Sequence, residues 1–178
     1  MPVRTMPNNL DAEKSVLGCA FLSKNSLTKI CEDLYSDMFY SEANQKLFEA
    51  IKRCYNEKVP IDITTVKDEL EKKKDLSAIG GIEYLSEVID SVPTAANLDY
   101  YIKIVKDKAV MRNLIETATD IVTDAYEEGE DVTHLLDSAE KKILNVVKDR
   151  QTSDFIHIKD AIAKAQENLE YLSQNKSE

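Results

Sequence analysis

The sequence has little of what turns, disulfides and metal sites require. Its 178 residues include only four glycines, four prolines and no tryptophan. This scarcity of turn residues argues against an all-β fold, which needs turn signals at short intervals. The three cysteines, Cys19, Cys31 and Cys54, are odd in number and lack CxxC spacing, so neither a disulfide framework nor a zinc site is indicated. Most of the chain is therefore predicted to be helical.

Long apolar runs and a surplus of positive charge are missing as well. No apolar stretch approaches membrane-spanning length, and no basic region followed by an apolar one opens the chain. We therefore expect a cytoplasmic protein with no membrane partner. The formal net charge is −10, from 33 acidic and 23 basic residues. Because phosphate binding depends on Lys and Arg, contact between DNA and this chain alone is not expected.

The sequence also lacks the residue patterns of catalysis. A GxxxxGK[ST] loop typically holds nucleotide phosphates, and none of the four glycines opens one. His134 and His157 lack the spacing of metal ligands. Carboxylates lie among lysines, as in Glu69 and Lys73, which indicates solvated i, i+4 pairs on helix faces and not acid–base catalysis. No catalytic, cofactor or metal site is predicted in this chain.

Periodic apolar residues predict a small globular helical bundle in residues 1–96. Asn9, Ser41 and Asp62 have the side chains of helix N-caps. Gly18 inside the first helix costs roughly 1 kcal/mol relative to Ala, which the close approach of another helix would offset. A Gly80–Gly81 break precedes the last helix of the bundle, which Pro93 ends. The predicted inward positions include Val16, Leu17, Ala20, Phe21, Leu47, Phe48, Ile51, Tyr55, Ile63, Val66, Leu70, Tyr84, Leu85, Val88 and Ile89.

Residues 97–150 are predicted to form a long antiparallel helical hairpin. No Gly or Pro interrupts residues 97–128, Gly129 ends that helix, and a second periodic run follows at once. The two helices carry more apolar surface than they can cover for one another, so a pairwise interface with a second copy is expected. Its candidate residues are Leu114, Ile121, Leu136 and Ile143.

Residues 151–178 are predicted to form a linker and a separate linker helix. The segment opens with the polar sequence QTSD and continues with apolar residues at helical spacing. An isolated helix of this length is marginal in water, so its apolar stripe is expected to dock on a partner. The candidate docking residues are Ile158, Ile162, Ala165, Leu169 and Leu172.

Four ordered blocks of the sequence resemble the N-terminal domain of bacterial replicative DNA helicases, the DnaB family. The blocks are NLDAEKSVLGCAFL at residues 9–22, DMFYSEANQKLFEAI at residues 37–51, VPIDITTVKDEL at residues 59–70, and IGGIEYLSEVIDSVPTAANLDYYIKIVKDKAVMRNLI at residues 79–115. Their order and spacing extend the resemblance to essentially the whole chain, apart from a divergent tail after Gln151.

The resemblance implies an accessory domain. In this family the N-terminal domains pair through their hairpins and assemble as a trimer of dimers, a collar on one side of a hexameric ring in the replisome. The collar contacts primase, a helicase loader is a possible further partner, and the linker helix packs on a neighbouring motor domain. ATP and magnesium belong to the motor, which is absent from this chain.

The resemblance also implies that Tyr84, Ile115 and Ile121 lie near the surfaces that respond to primase. The alternative for these three residues is a place in the core, because apolar residues at helical spacing are usually buried.

Two other functions compete with the helicase assignment. The helicase-binding domain of primase resembles the same fold, and helicase-loader adaptors are also small helical proteins. The PTAAN segment joined to the IGG turn favours the helicase. A self-contained helical enzyme is the third possibility, and the lack of any convergent site argues against it.

Overall fold

A computed structural model of the protein describes residues 4–127 and 131–148. This part of the chain consists of helices joined by turns and contains no strand, which confirms the all-α prediction. The helices are α1 (Leu10–Cys19), α2 (Lys24–Asp33), α3 (Glu42–Asn56), α4 (Ile63–Lys72), α5 (Leu76–Ile79), α6 (Gly81–Ile89), α7 (Leu98–Tyr126) and α8 (residues 132–148), with a 3-10 turn at Ser36–Met38.

The chain divides into two compact units, Met1–Arg112 and Asn113–Glu178. The first unit is a bundle in which α3 packs on α1, α2, α4 and α5, and α6 packs on α1, α4 and α5. Its core is made of side chains with almost no exposed surface, among them Leu17, Phe39, Phe48, Ile51 and Leu85. The N-terminal part of α7 belongs to this unit and contributes Leu98, Ile102 and Val105 to it.

All three predicted N-cap residues form capping hydrogen bonds. The side chain of Asn9 accepts a hydrogen bond from the amide of Ala12, and that of Ser41 accepts one from Asn44. Asp62 accepts from the amides of Thr64 and Thr65. Each bond satisfies a main-chain donor that the first turn of a helix leaves unpaired. The starts of α1, α3 and α4 are therefore fixed by local chemistry.

Two glycine positions are explained by the packing. A Cβ at Gly18 would lie 2.5 Å from the main-chain oxygen of Val88, so α1 and the end of α6 touch at this point, as predicted. Gly80 and Gly81 have φ values of +106° and +77°. These left-handed conformations strain other residues, which explains why the break between α5 and α6 is made of glycine.

Some details of the bundle differ from the predicted pattern. Ile63 was expected to face inward but is exposed, because it is the first residue of α4 and the buried side of that helix begins one turn later at Val66. α6 ends at Ile89, before Pro93, and the short α5 precedes the glycine pair.

The second unit contains the remainder of α7 together with α8. Lys142 Nζ lies 2.5 Å from Asp124 Oδ2, and a shallow polar groove lies between the two helices. The lining of this groove is Asn113, Thr117, Asp120, Lys142, Asn145 and Val146. Early residues of one helix thus lie beside late residues of the other, as in the predicted antiparallel hairpin.

Candidate interaction surfaces

The hairpin has an exposed apolar surface. Of the four predicted interface residues, Leu114, Leu136 and Ile143 are exposed, and Leu136 leaves 65% of its surface in solvent. Ile121 is half-buried. Further large apolar side chains are exposed in the same unit: Ile115, Val122, Tyr126, Val132, Leu144 and Val147. Most solvent-exposed apolar residues occur singly, so a series of this length indicates a surface that binds another protein.

Some of these side chains, together with two alanines, form two stripes at helical spacing, which we call the apolar stripes. On α7 the stripe contains Leu114, Ala118, Val122 and Ala125, spaced three or four residues apart. On α8 it contains Val132, Leu136, Ile143 and Val147. The less exposed side chains of the two helices are both polar and apolar: they include the Lys142–Asp124 pair, Thr117, Ile121, Leu135 and Val146. The hairpin therefore leaves the apolar stripes available to a partner.

Tyr84 projects from α6 into a polar network. Its ring is half-buried, and its hydroxyl donates a hydrogen bond of 2.5 Å to Oδ1 of Asn44 on α3. Burial raises the pKa of the phenol, and the positive charge of Lys14 opposes the rise. Lys14 Nζ lies 5.7 Å from the centre of the ring. Tyr84 is thus a neutral donor that ties α6 to α3.

The core alternative for the three candidate primase-responsive residues is wrong for Ile115, which is 42% exposed. The buried residues of α7 are Leu98, Ile102, Val105 and Arg112, and none follows Arg112 along the helix. Ile115 therefore lies past the last contact that would bury it.

A buried carboxylate in α1 was missed by the sequence analysis. Glu13 is 2% exposed and accepts hydrogen bonds from the amide of Tyr40 at 2.5 Å and from the side chain of Asn44 at 2.7 Å. The amide of Ser41 also donates to it, at 3.3 Å. Without knowledge of the fold, the residue looks like an acidic side chain in a first helical turn. Its partners come from more than twenty-five positions away, so no local pattern identifies it.

Arg112 is a second buried charge that the sequence did not reveal. Its guanidinium donates hydrogen bonds of 2.9 Å to the main-chain oxygens of Pro7 and Met38. It also lies 5.7 Å from the centre of the Tyr40 ring. The bonded oxygens are carbonyls, so the group is held by neutral acceptors.

Glu69 corrects the expectation of solvated pairs. It is buried, and its Oε1 lies 2.7 Å from Nε of Arg53 on α3. The predicted partner one turn later, Lys73, is the C-cap of α4 and makes no ion pair with Glu69 among the described residues. The shorter contact, with Arg53, follows from the packing of α3 on α4, while Lys72 on the same helix lies 3.9 Å from the other carboxylate oxygen.

A phosphate loop and a cluster of metal ligands are the features by which ATP-dependent motors hold nucleotide and magnesium. The sequence has no phosphate loop, and in residues 4–127 and 131–148 no group of three His, Cys, Asp or Glu side chains could hold a metal ion. The three cysteines are buried, and burial raises the pKa of Cys31 to about 11. Across the same residues, none of the helices combines the length and the apolar character needed to cross a membrane.

The family of the chain follows from comparison with known proteins. The profile described as "DnaB-like helicase N terminal domain" matches residues 5–107. The chain belongs to this family. The match includes α1 to α6 and the N-terminal part of α7.

Curated DnaB-family relatives extend the similarity to nearly the whole chain. "Replicative DNA helicase DnaC" of Bacillus subtilis is 41% identical over 98% of the chain, and "Replicative DNA helicase DnaB" of Geobacillus stearothermophilus has the same identity and coverage. The chain spans 38% of the length of each.

Solved DnaB-family structures share the fold. The N-terminal domain of DnaB helicase from Mycobacterium tuberculosis matches with a TM-score of 0.73 and 40% identity, covering 79% of this chain and 99% of that one. A DnaB-like replicative helicase described with its interactions with primase matches with a TM-score of 0.64 over 78% of this chain and 31% of its own. Its identity of 20% shows a common fold alone.

The candidate linker-docking residues lie outside the described part of the chain. They are Ile158, Ile162, Ala165, Leu169 and Leu172. Gly129, the predicted end of the first hairpin helix, lies outside it too.

Proposed function

We propose that this chain is the accessory and oligomerisation domain of a replicative DNA helicase, which scaffolds the N-terminal collar of a hexamer. Membership of the DnaB-like N-terminal domain family supports the proposal. So does the length of the relatives, because most of each lies outside the match. ATP hydrolysis with magnesium and DNA translocation then belong to that remainder, in a cytoplasmic replisome.

The hairpin pairs with a second copy of the chain through its apolar stripes. The observation that carries this is the exposure of Leu114, Leu136 and Ile143, which the contact between the two helices leaves in solvent. A second copy presents the same two stripes, so a two-fold arrangement covers both sets at once. Pairs of this kind then assemble as a trimer of dimers.

Charge placed on the stripes tests the pairing. Glu in place of Leu136 and of Ile143 puts two carboxylates where the interface would exclude water, and burial of an unpaired carboxylate is strongly unfavourable. We expect the double variant to self-associate at least about tenfold more weakly than the wild type in sedimentation equilibrium. Thr133→Glu adds a charge at another exposed position on α8 and should leave association unchanged. A wild type that stays monomeric at high concentration contradicts pairing in the isolated chain.

Primase is the proposed partner of the collar, and a helicase loader is a further one. The fold shared with a DnaB-like helicase described with primase supports this. Tyr84, Ile115 and Ile121 are the candidate primase-responsive residues. Tyr84→Phe removes the hydroxyl that bonds Asn44 and keeps the ring. We expect it to weaken primase binding by several-fold and, because the lost bond ties α6 to α3, to lower the melting temperature slightly.

The matched control for this experiment is Tyr100→Phe, since Tyr100 is 71% exposed and lies on α7. Calorimetric titration with the C-terminal domain of a cognate primase measures both variants. Equal affinity of Tyr84→Phe, Tyr100→Phe and wild type leaves Tyr84 with a purely structural role.

The segment with Ile158, Ile162, Ala165, Leu169 and Leu172 completes the proposal. In the full-length protein its apolar stripe docks on the motor domain of a neighbouring subunit. The primase-domain and loader-adaptor assignments are the alternatives, and the match to the helicase N-terminal domain favours the helicase.

A further inference from the structure

Two buried opposite charges lie on either side of one turn. The turn consists of residues 38–41, from the last residue of the 3-10 turn to the residue before α3. Glu13 of α1 is 2% exposed and Arg112 of α7 is 9% exposed. A buried charge without compensation is strongly unfavourable, so each needs an opposite charge or several aligned dipoles. Within the described residues, neither has an oppositely charged side chain as its hydrogen-bonding partner.

The turn supplies the compensation for both. Its amides at Tyr40 and Ser41 donate to the carboxylate of Glu13. Its carbonyl at Met38 accepts from the guanidinium of Arg112. The peptide groups thus place N–H groups toward the negative side chain and a C=O toward the positive one. Hydrogen bonds to charged groups are stronger than neutral ones and polarise their neighbours.

Tyr40 takes part on both sides. Its amide bonds Glu13, and its ring lies 5.7 Å from the guanidinium of Arg112. A shift of this residue toward solvent would therefore weaken the compensation of both charges together.

We propose that Glu13 and Arg112 form one coupled charge pair bridged by the residue 38–41 turn, so that the docking of α7 depends on a carboxylate in α1. The seam of α7 against the bundle runs through Leu98, Ile102 and Val105 and ends at Arg112. The last contact of the seam is thus polar. Water can form hydrogen bonds with its groups, so this contact opens more readily than one between buried apolar side chains. The seam opens from this end when the hydrogen bonds between the turn and Glu13 break.

The same carboxylate extends the coupling to α6. Glu13 accepts from the side chain of Asn44, whose Oδ1 accepts from the hydroxyl of Tyr84. Hydrogen bonds thus join Tyr84 to the turn through Asn44 and Glu13, and the main chain of the turn links them to the bond between Met38 and Arg112. This coupling stands on the contacts alone and does not require primase.

A double-mutant cycle measures the coupling directly. The four chains are wild type, Glu13→Gln, Arg112→Gln and the double variant, each unfolded in urea. Groups in one network show coupling, whereas independent sites add. If the two sites were independent, the factors by which the single substitutions lower the folding equilibrium constant would multiply in the double variant. We expect the measured constant of the double variant to be higher than that product by on the order of tenfold. Additive effects overturn the proposal.

A control cycle removes one negative charge from α1 and one positive charge from α7 at other positions of these helices. Asp11→Asn and Lys108→Gln change an exposed acid on α1 and a half-buried base on α7 that are outside the turn's hydrogen bonds. Their effects should add. Arg112→Met keeps the volume of the seam without the charge, so it supplies the cycle if Arg112→Gln does not fold.

Amide hydrogen exchange gives a second readout that a purely local role of Glu13 does not produce. In Glu13→Gln we expect faster exchange at residues 105–112 of α7, although Glu13 has no hydrogen bond to that helix in the described structure. Asp11→Asn should leave these amides as in wild type. Unchanged protection of residues 105–112 in Glu13→Gln also overturns the proposal.

Discussion

At the scale of single residues, Gly18 shows a packing requirement overriding helix propensity. Replacing it with Ala favours the helix by roughly 1 kcal/mol. The new Cβ would however lie 2.5 Å from the main-chain oxygen of Val88 and 2.7 Å from Oγ of Ser91. Overpacking of this kind typically costs about 1–3 kcal/mol.

We therefore predict that Gly18→Ala lowers the free energy of unfolding by roughly 1–2 kcal/mol, as measured by urea denaturation. Ser15→Ala on the same helix is the control and should change the free energy by less than about 0.5 kcal/mol. A more stable Gly18→Ala variant would mean that α1 and α6 separate without loss.

The carboxyl group of Asp62 leads to a prediction about how the stability of the fold depends on pH. Hydrogen bonds from the main chain and side chain of Thr65, together with the amide of Thr64, lower the pKa of this carboxyl below its ordinary 3.8. A lowered folded-state pKa means that the carboxylate stabilises the fold above the ordinary value. That contribution is lost as pH falls through the folded-state pKa.

The measurement compares the melting temperatures of wild type and Asp62→Asn from neutral pH to about pH 2.5. Asn is also a good N-cap but does not titrate. The advantage of wild type over the variant should shrink as pH falls below about 4. Asp90→Asn, an exposed position after α6, should show a smaller change with pH. A constant difference across the range contradicts a role for the Asp62 charge.

At the scale of helices, the predictable features were those encoded locally. The N-caps Asn9, Ser41 and Asp62 follow from side chains that bond their own helix starts. The glycine break follows from left-handed backbone angles. The contacts of Glu13 with the turn and of Glu69 with Arg53 were not predictable, because these partners are distant along the chain and a sequence window contains no trace of them.

The sequence predicted that the hairpin exposes apolar residues, but not which of the apolar residues are exposed. Leu114, Leu136 and Ile143 were chosen from helical spacing, and the structure places them in solvent. Spacing alone does not show which apolar residues the two helices bury between them. It therefore could not predict that Ile121 is half-buried. Whether these residues pair with a second copy stays a prediction.

The charge of the hairpin predicts how salt affects its pairing. Between residues 113 and 148 the basic side chains apart from His134 are Lys141, Lys142 and Lys148, and the acidic ones are three times as many. Two such hairpins repel each other, and salt screens the repulsion because the Debye length falls from about 10 Å at 0.1 M to about 3 Å at 1 M. We expect self-association to tighten several-fold between low and high salt in sedimentation equilibrium.

A variant with less negative charge provides the control for the salt series. Asp137→Asn with Glu140→Gln removes two carboxylates from α8, so it should associate more tightly at low salt and depend less on salt. Weaker association of wild type at high salt would indicate ion pairs across the interface instead of apolar contact.

At the scale of the whole molecule, buried charges and exposed apolar residues divide between the two units. The first unit holds Glu13, Glu69 and Arg112 in its interior, each with hydrogen-bonding partners. The second unit holds most of the large apolar side chains that are exposed on α7 and α8. The first unit thus combines an apolar core with paired buried charges, while the described part of the other presents an exposed apolar surface.

The last prediction concerns nucleotide hydrolysis by the chain alone. Motors of this type hold phosphate with a glycine-rich loop and a lysine, and the sequence contains no GxxxxGK[ST] pattern. The chain also spans only 38% of its helicase relatives. We predict that purified chain releases phosphate from ATP with magnesium no faster than a buffer blank. The control is the Leu136→Glu, Ile143→Glu variant, purified in parallel, because a contaminating ATPase would not follow its altered elution on gel filtration. Hydrolysis that co-elutes with both forms of the chain would place a catalytic site within these residues and overturn the assignment of an accessory domain.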